Sequence, residues 1–437
     1  MKAECIKMGI NGEGIAYIDK TPVFIPGLLP GETAEIEITE DNRSFKRGRA
    51  VRITRRSPHR RRPASEEEYL SGGAELAILD YEQQLYWKTA LLEEALWKYG
   101  HVNRKLVRTM HASPSPTAYR NECKLPVGLQ DGKLVMGLYK TGSNHFIPVS
   151  HFSTHTKELE EIRLQVLEIL QRSKLRPFDI KTGHGLRFVV IRCIQGQCQL
   201  TLVTGKDQLS QALIDELAGI PQMRTVAQSI NDRRKTTGIF GSTKILAGDE
   251  TIRIELHRLK LQLSVESFFQ MNTEQAEQLY DMVIRKLDPC DHLFEGYCGI
   301  GTMSLMAKDK ARKVTGAEFS QQAVINAKAN AEMNRVPNVT FVCADSAEAF
   351  RNAGKARAVD CVLVDPPRSG MDDNMISALL DSKVKRIIYV SCNPATLGKN
   401  LKELKKAYDI RTVIPYDMFP DTPLVEAVCV LERTGGR

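Results

Sequence analysis

From Phe268 onward the chain alternates between two repeating patterns, and this alternation limits the fold more than any other feature. Helix-period segments at Thr273–Lys286, Thr302–Lys308 and Gln321–Asn334 interleave with apolar runs at His292–Glu295, Val314–Glu318, Val339–Cys343, Val359–Val364 and Arg386–Ser391. Short apolar runs bounded by turn residues read as buried strands, and strand–helix alternation builds a doubly wound α/β sheet. Three of the runs end in residues with chemistry. Tyr297-Cys298-Gly299-Ile300-Gly301-Thr302 follows the first, Asp365-Pro366-Pro367-Arg368 the fourth, and Ser391-Cys392-Asn393-Pro394 closes the last. In such a sheet ligands bind outside the carboxyl ends of the strands. A glycine turn, a carboxylate and a thiol at three strand ends point to a nucleotide-like cofactor beside a cysteine nucleophile.

Each of these positions has a bland alternative. Gly299 and Gly301 let the backbone approach a ligand, and Thr302 opens a helix whose first amides are free; a glycine turn can also be only a turn. Glu318 ends the next strand, about twenty residues on, where an acid binds ribose hydroxyls. Asp345 follows the strand after that. The set fits the adenosine of S-adenosylmethionine, against a reading as helix caps. Asp365-Pro366-Pro367-Arg368 can be a plain Pro-rich turn after a strand; at the fourth strand of a methyltransferase-like domain, Asp365 would instead lie near the methyl donor and the target base. Cys392, between a strand end and a helix start, occupies the kind of site that lowers a thiol pKa. Otherwise it is one more buried thiol.

Composition sets the frame. The chain has 437 residues, 42% of them hydrophobic, which implies roughly two to four domains. No run approaches the roughly 20 apolar residues of a membrane span. Met1-Lys2-Ala3-Glu4-Cys5 lacks the apolar core of a signal peptide, so a cytoplasmic protein is expected. The ten cysteines are scattered, which predicts free thiols without a disulfide framework. Cys193 and Cys198 are the closest pair, but no His or second pair completes a metal site, and no metal is expected. The net charge of +8 is uneven. Arg43, Lys46, Arg47, Arg49, Arg52, Arg55, Arg56, Arg60, Arg61 and Arg62 form one basic run. It could be a solvated linker; the dominance of Arg, a planar bidentate donor, favours nucleic-acid phosphate.

Ahead of the alternating region the patterns change. Ile15–Ile18, Val23–Ile25, Ala34–Ile38 and Ala50–Ile53 read as short strands, with turns at Gly12, Gly14, Pro26-Gly27 and Pro30-Gly31. They predict a small β-barrel. Asp80–Gly100 is helical, with Leu85, Leu91, Leu92, Ala95 and Leu96 at helical spacing. Residues 115–265 mix a hairpin around Gly196 with a helix over Glu158–Leu170 and form a central α+β domain that helps hold substrate.

Two resemblances add to this. Gly12-Glu13-Gly14-Ile15-Ala16-Tyr17 and Phe24-Ile25-Pro26-Gly27-Leu28-Leu29-Pro30-Gly31-Glu32 resemble the TRAM domain, an OB-like RNA-binding module. Ser267-Phe268-Phe269-Gln270-Met271-Asn272, Cys298-Gly299-Ile300-Gly301-Thr302, Asp365-Pro366-Pro367-Arg368-Ser369-Gly370 and Ser391-Cys392-Asn393-Pro394-Ala395-Thr396 resemble the RNA (uracil-5-)methyltransferases. That family modifies uridines of bacterial 23S ribosomal RNA and, in one branch, transfer RNA. The resemblance implies a Rossmann-like α/β methyltransferase domain over 266–437, an OB-like barrel over 1–57 and a central α+β domain over 58–265, with part of 80–110 packed on the catalytic domain. It implies that Gln270, Tyr297, Glu318, Asp345 and Asp365 line the cofactor site, joined by Gly299, Gly301 and Thr302. Cys392 is then the nucleophile and Glu426 the base, and Arg55, Arg56, Arg60, Arg61 and Arg368 are expected on RNA. The cofactor is S-adenosylmethionine. The partner is 23S ribosomal RNA, with no membrane, and the protein is a monomer.

The chain also departs from the family. Many relatives hold an iron–sulfur cluster through four cysteines after the TRAM domain; here the stretch is Ser71-Gly72-Gly73-Ala74, and no cluster is expected. Leu424 stands where the family has His, and Lys399-Asn400 where it has Arg-Asp. The competing expectations are the same reaction on transfer RNA, an amino-methyltransferase, a cytosine-5 methyltransferase, and a non-catalytic RNA-binding assembly factor with a decayed site.

Overall fold

The apolar runs after residue 290 become strands because the structure covers both of their faces. In the computed structural model, which describes residues 1–233, 238–356 and 358–435, Leu293, Leu363 and Ile388 face one core. Their neighbours Phe294, Val362 and Ile387 face the other. A strand whose side chains all enter cores reads as an unbroken apolar run. The sheet order is Val339–Cys343, Ala311–Glu318, Cys290–Gly296, Cys361–Val364, Arg386–Ser391, Glu426–Arg433, Tyr408–Tyr416. The first five strands are parallel. Of the last two, which the periodicity did not reveal, Glu426–Arg433 runs antiparallel to both of its neighbours, Arg386–Ser391 and Tyr408–Tyr416. Helix Tyr81–Gly100 packs on helix Pro394–Leu404, and residues 107–111 pair with the edge strand at Val413 and Tyr416.

A second seven-stranded sheet lies ahead of this one, in the order Ser242–Gly248, Met223–Ile230, Gln197–Thr204, Leu186–Ile194, Glu122–Gln130, Lys133–Tyr139, Phe146–Pro148. Helices Lys157–Arg172 and Gln211–Ala218 supply its core. The hairpin Thr251–Leu256 and Leu259–Ser264 instead sends Ile252, Ile254, Leu261 and Leu263 into the core of the parallel sheet. The free-thiol expectation is corrected at one place. Cys193 and Cys198 are disulfide-bonded, because the hairpin register sets them directly opposite.

The N-terminal sheet has six strands: Lys2–Glu4, Thr33–Asp41, Lys46–Arg55, Thr21–Ile25, Gly14–Ile18, Lys7–Met8 in order. Its two edge strands are separated in sequence only by Cys5 and Ile6, so the sheet curls to bring its edges together. Among the described residues no backbone ladder joins those edges. No helix among them is long and apolar enough to cross a membrane.

Candidate functional site

The strand Cys290–Gly296 runs into a turn whose backbone is left-handed at Tyr297 (φ 63°), Gly299 (φ 53°) and Gly301 (φ 84°). Gly301 is doubly constrained, since a Cβ there would lie 2.4 Å from the Phe341 ring. Gly299 meets nothing within 4 Å; its missing side chain leaves room for a ligand against the backbone. Tyr297 holds its conformation at a cost of about 1–2 kcal/mol, and its N–H donates to Ser346 Oγ at 3.2 Å. Thr302 begins the following helix and is buried.

Two acids brace this turn. Glu318 accepts from the Gly299 N–H at 3.1 Å and from the Ser320 N–H at 2.8 Å, which ties the glycine turn to the next strand end. Asp345 accepts from the N–H groups of Ala347 and Glu348, both at 3.0 Å, so it caps the helix Ser346–Ala356. Phe319 is 83% exposed directly after Glu318. Beneath the turn Glu295 is fully buried. Ser304 donates to its Oε2, while Oε1 has no protein partner. Burial, foremost, pushes Glu295 up to about 8. The buried Gln270 is held from the central sheet, its carbonyl accepting from the Asn121 side chain at 2.9 Å.

The thiol and the carboxylates meet through sheet register. Ser391 pairs with Ala427 across antiparallel strands, so Cys392 and Glu426 follow at neighbouring strand ends, and Glu426 acts electrostatically on the thiol. The Cys392 loop is stitched to the Asp-Pro-Pro-Arg turn. Asn393 Nδ2 and Thr396 Oγ1 both donate to the Arg368 carbonyl, at 2.9 and 3.2 Å. Glu426 is 2% exposed. Burial and then Asp365 push it well above the usual carboxylate range, against Arg368. Burial raises Asp365 to about 7. The expectation of a lowered thiol pKa is corrected: burial, then Glu426 and Asp365, push Cys392 up to about 12, with Arg368 opposing. A strand-end position does not lower a thiol that faces two carboxylates.

A cavity of about 550 Å³ lies over Cys392, lined among others by Arg120, Tyr139, Arg368 and Leu424. All three sheets contribute to it. Arg120 was missed because nothing local separates it from the chain's other cations. Leu424, where the family has His, offers this cavity an apolar wall. Asn400 is fully engaged: its Oδ1 accepts from the Tyr389 hydroxyl at 2.7 Å and the Met371 N–H at 2.9 Å.

The arginine run divides. Arg60 donates to both oxygens of the buried Glu32 at 2.6 and 2.7 Å. Arg61 donates to Asp421 and, at 2.9 Å, to the Ala77 carbonyl. These two corrections to the expected RNA set share one cause: buried carboxylates claim both guanidinium groups. Arg55, paired with Glu4 at 2.8 Å on the surface, and the exposed Arg56 stay accessible.

The whole architecture is that of an RNA methyltransferase. It superimposes on a crystal structure of Pyrococcus abyssi tRNA (uracil-54, C5)-methyltransferase in complex with S-adenosyl-L-homocysteine. The TM-score is 0.79 at 25% identity, covering 99% of this chain and 100% of that one. The chain belongs to the tRNA (uracil-5-)-methyltransferase family, whose model matches residues 80–434, and the TRAM domain model matches residues 7–51. Similar proteins include an uncharacterized RNA methyltransferase of Bacillus cereus, 35% identical over 98% of this chain and 95% of its own length. Another, from Listeria innocua, is 36% identical over 96% and 95%.

Proposed function

We propose that this protein methylates carbon 5 of a uridine in RNA, with Cys392 as nucleophile and Glu426 as base. The observation that carries the reading is the pairing of Ser391 with Ala427, which brings the Cys392 loop beside the buried Glu426, with Asp365 also acting on the thiol. Gln270, Tyr297, Gly299, Gly301, Thr302, Glu318, Asp345 and Asp365 surround the proposed cofactor position. The open space at Gly299 and the orphaned Glu295 Oε1 suit a ligand that brings a positive charge. S-adenosylmethionine, held there, supplies the methyl group.

Cys392, raised to about 12, first gives its thiol proton to water, and the thiolate then adds to carbon 6 of the uracil. A sulfur–carbon bond forms, and the electrons of the ring double bond move toward the carbonyl at carbon 4, making carbon 5 nucleophilic. After carbon 5 is methylated, the Glu426 carboxylate takes its proton. The double bond then re-forms and the sulfur leaves. A paired base cannot reach this cavity, so the target uridine is flipped out. Arg55, Arg56 and Arg368 meet the flanking phosphates. Residues 1–57 act as an OB-like RNA grip, 58–265 as a second RNA-binding unit and 266–437 as the catalytic domain. One chain supplies every group named, which supports a monomer as the active species.

The substrate we favour is 23S ribosomal RNA, on the resemblance of the four motifs. Transfer RNA is the second reading, favoured by the likeness to the Pyrococcus abyssi protein. Methyl transfer from labelled cofactor to each unmodified RNA decides between them. The mechanism is tested by two variants. Cys392→Ala should lose both turnover and covalent RNA adduct. Glu426→Gln should lose turnover but accumulate adduct on a denaturing gel. A Cys392→Ala enzyme that still forms adduct would refute the assignment.

A further inference from the structure

Beside the cavity over Cys392 lies a second one of about 540 Å³. The two share Asn11, Gly72, Glu75 and Thr141, so they form one trough from the thiol to the N-terminal sheet. The far part of the trough is walled by Phe24 and Arg47 from that sheet, by Tyr69 of helix Glu66–Ser71, and by Lys140. Lys140 lies in the turn that follows the central strand Lys133–Tyr139.

The side chains there are fixed in ways that leave their binding faces usable. Tyr69 packs against the cluster of Met8, Leu29 and Leu76. Phe24 sits edge-on to Phe45 at 6.0 Å, and the Arg47 guanidinium lies 5.8 Å from the Phe45 ring. Arg47 pairs with Glu40 at 3.1 Å, with both side chains at least half exposed, a pairing worth about 0–1 kcal/mol that a phosphate can displace. Lys140 is exposed. The acids on the wall are engaged locally or buried. Asn11 donates to Glu13 from its backbone at 2.9 Å and its side chain at 3.1 Å, and burial pushes Glu75 toward its neutral form. Two aromatic rings beside two accessible cations make a site for one nucleotide, with the base on the rings and the phosphate on the cations.

We propose that the trough binds the nucleotide adjacent to the target uridine in the same RNA strand. Its base lies against Phe24 and Tyr69, and its phosphate between Arg47 and Lys140. The proposal rests on the reading of the Cys392 cavity as the uridine site, since the trough opens from it.

The test uses the full chain and unmodified ribosomal and transfer RNA transcripts carrying 4-thiouridine or 5-fluorouridine. Photo-cross-links from 4-thiouridine should map to the peptides holding Phe24 or Tyr69. The double variant Arg47→Ala/Lys140→Ala should weaken RNA binding about tenfold at moderate salt. Its salt slope should fall by about 1.4, or 0.7 for each cation removed from single-stranded RNA. The shift in melting temperature caused by S-adenosylhomocysteine should be unchanged, which shows that the fold is intact. An unchanged salt slope with cross-links confined to the central sheet would overturn the proposal. The 5-fluorouridine transcripts separate its failure from that of the catalytic reading. A Cys392 adduct with no trough cross-link removes the trough alone. A trough cross-link with no adduct removes the catalytic assignment and still supports a nucleotide in the trough.

Discussion

Two groups of buried acids in this protein are treated in opposite ways. At the junction of the three sheets three acids each take a side-chain partner. Lys88 donates to Asp417 at 2.5 Å with both side chains fully buried. Asp421 accepts from Gln84 at 2.7 Å and from Arg61, and Glu32 takes Arg60. Around Cys392, Asp365 and Glu426 are desolvated, and Arg368 alone opposes the shift of Glu426. The first arrangement fixes geometry, because a buried charge tolerates no loss of its counterion. The second holds carboxylates in an unfavourable state that a cationic ligand or a proton relieves. Uncompensated acids of this kind mark a site built for chemistry.

The largest effect should come from the uncompensated group. Cys392→Ala should lower turnover by at least about 10³ with little change in melting temperature, measured by methyl incorporation and by thermal unfolding. A mutant that keeps substantial turnover would place the chemistry elsewhere. Next in size is the compensated group. Lys88→Ala should destabilise the fold by about 3–5 kcal/mol, since it strands Asp417 without its cation; denaturant unfolding measures this. A loss near zero would mean that water reaches Asp417, and the contrast between the two groups would collapse.

Asp365→Asn sharpens the comparison through pH. The Asp365 carboxyl ordinarily titrates near 3.8 and is raised to about 7 in the fold. Its stabilising contribution is therefore present below about pH 4 and is lost as pH climbs toward 7. The variant should melt a few degrees above wild type at pH 8 and level with it at pH 4. A lower melting temperature at pH 8 would show that Asp365 has a partner in solution. The thiol offers a parallel measurement. Because burial, then Glu426 and Asp365, hold Cys392 up near 12, its alkylation by iodoacetamide should keep rising with pH from 7 to 10. It should be faster with cationic sinefungin bound than with S-adenosylhomocysteine; equal rates would remove the electrostatic link. The smallest effect belongs to the surface. Arg49 and Glu37 pair at 2.7 Å with side chains 71% and 59% exposed, and Arg49→Ala should change stability by about 0–1 kcal/mol.

What the sequence determined by itself was local. Unbroken apolar runs marked the parallel strands, because both of their faces are covered. The residues at the strand ends, from Gly299 to Cys392, marked the crevice, because a strand must stop in a turn. The strands Tyr408–Tyr416 and Glu426–Arg433 were not legible, and Glu426 was reached only through family resemblance. Its place beside Cys392 is a matter of register between strands far apart in the chain. Tertiary structure alone decided which arginines remain free: Arg60 and Arg61 look like Arg55 and Arg56 until Glu32 and Asp421 fold against them. It also reversed the expected state of the thiol. The environment of Cys392 is set by burial and by Glu426 and Asp365, which the sheet brings to it from elsewhere in the chain.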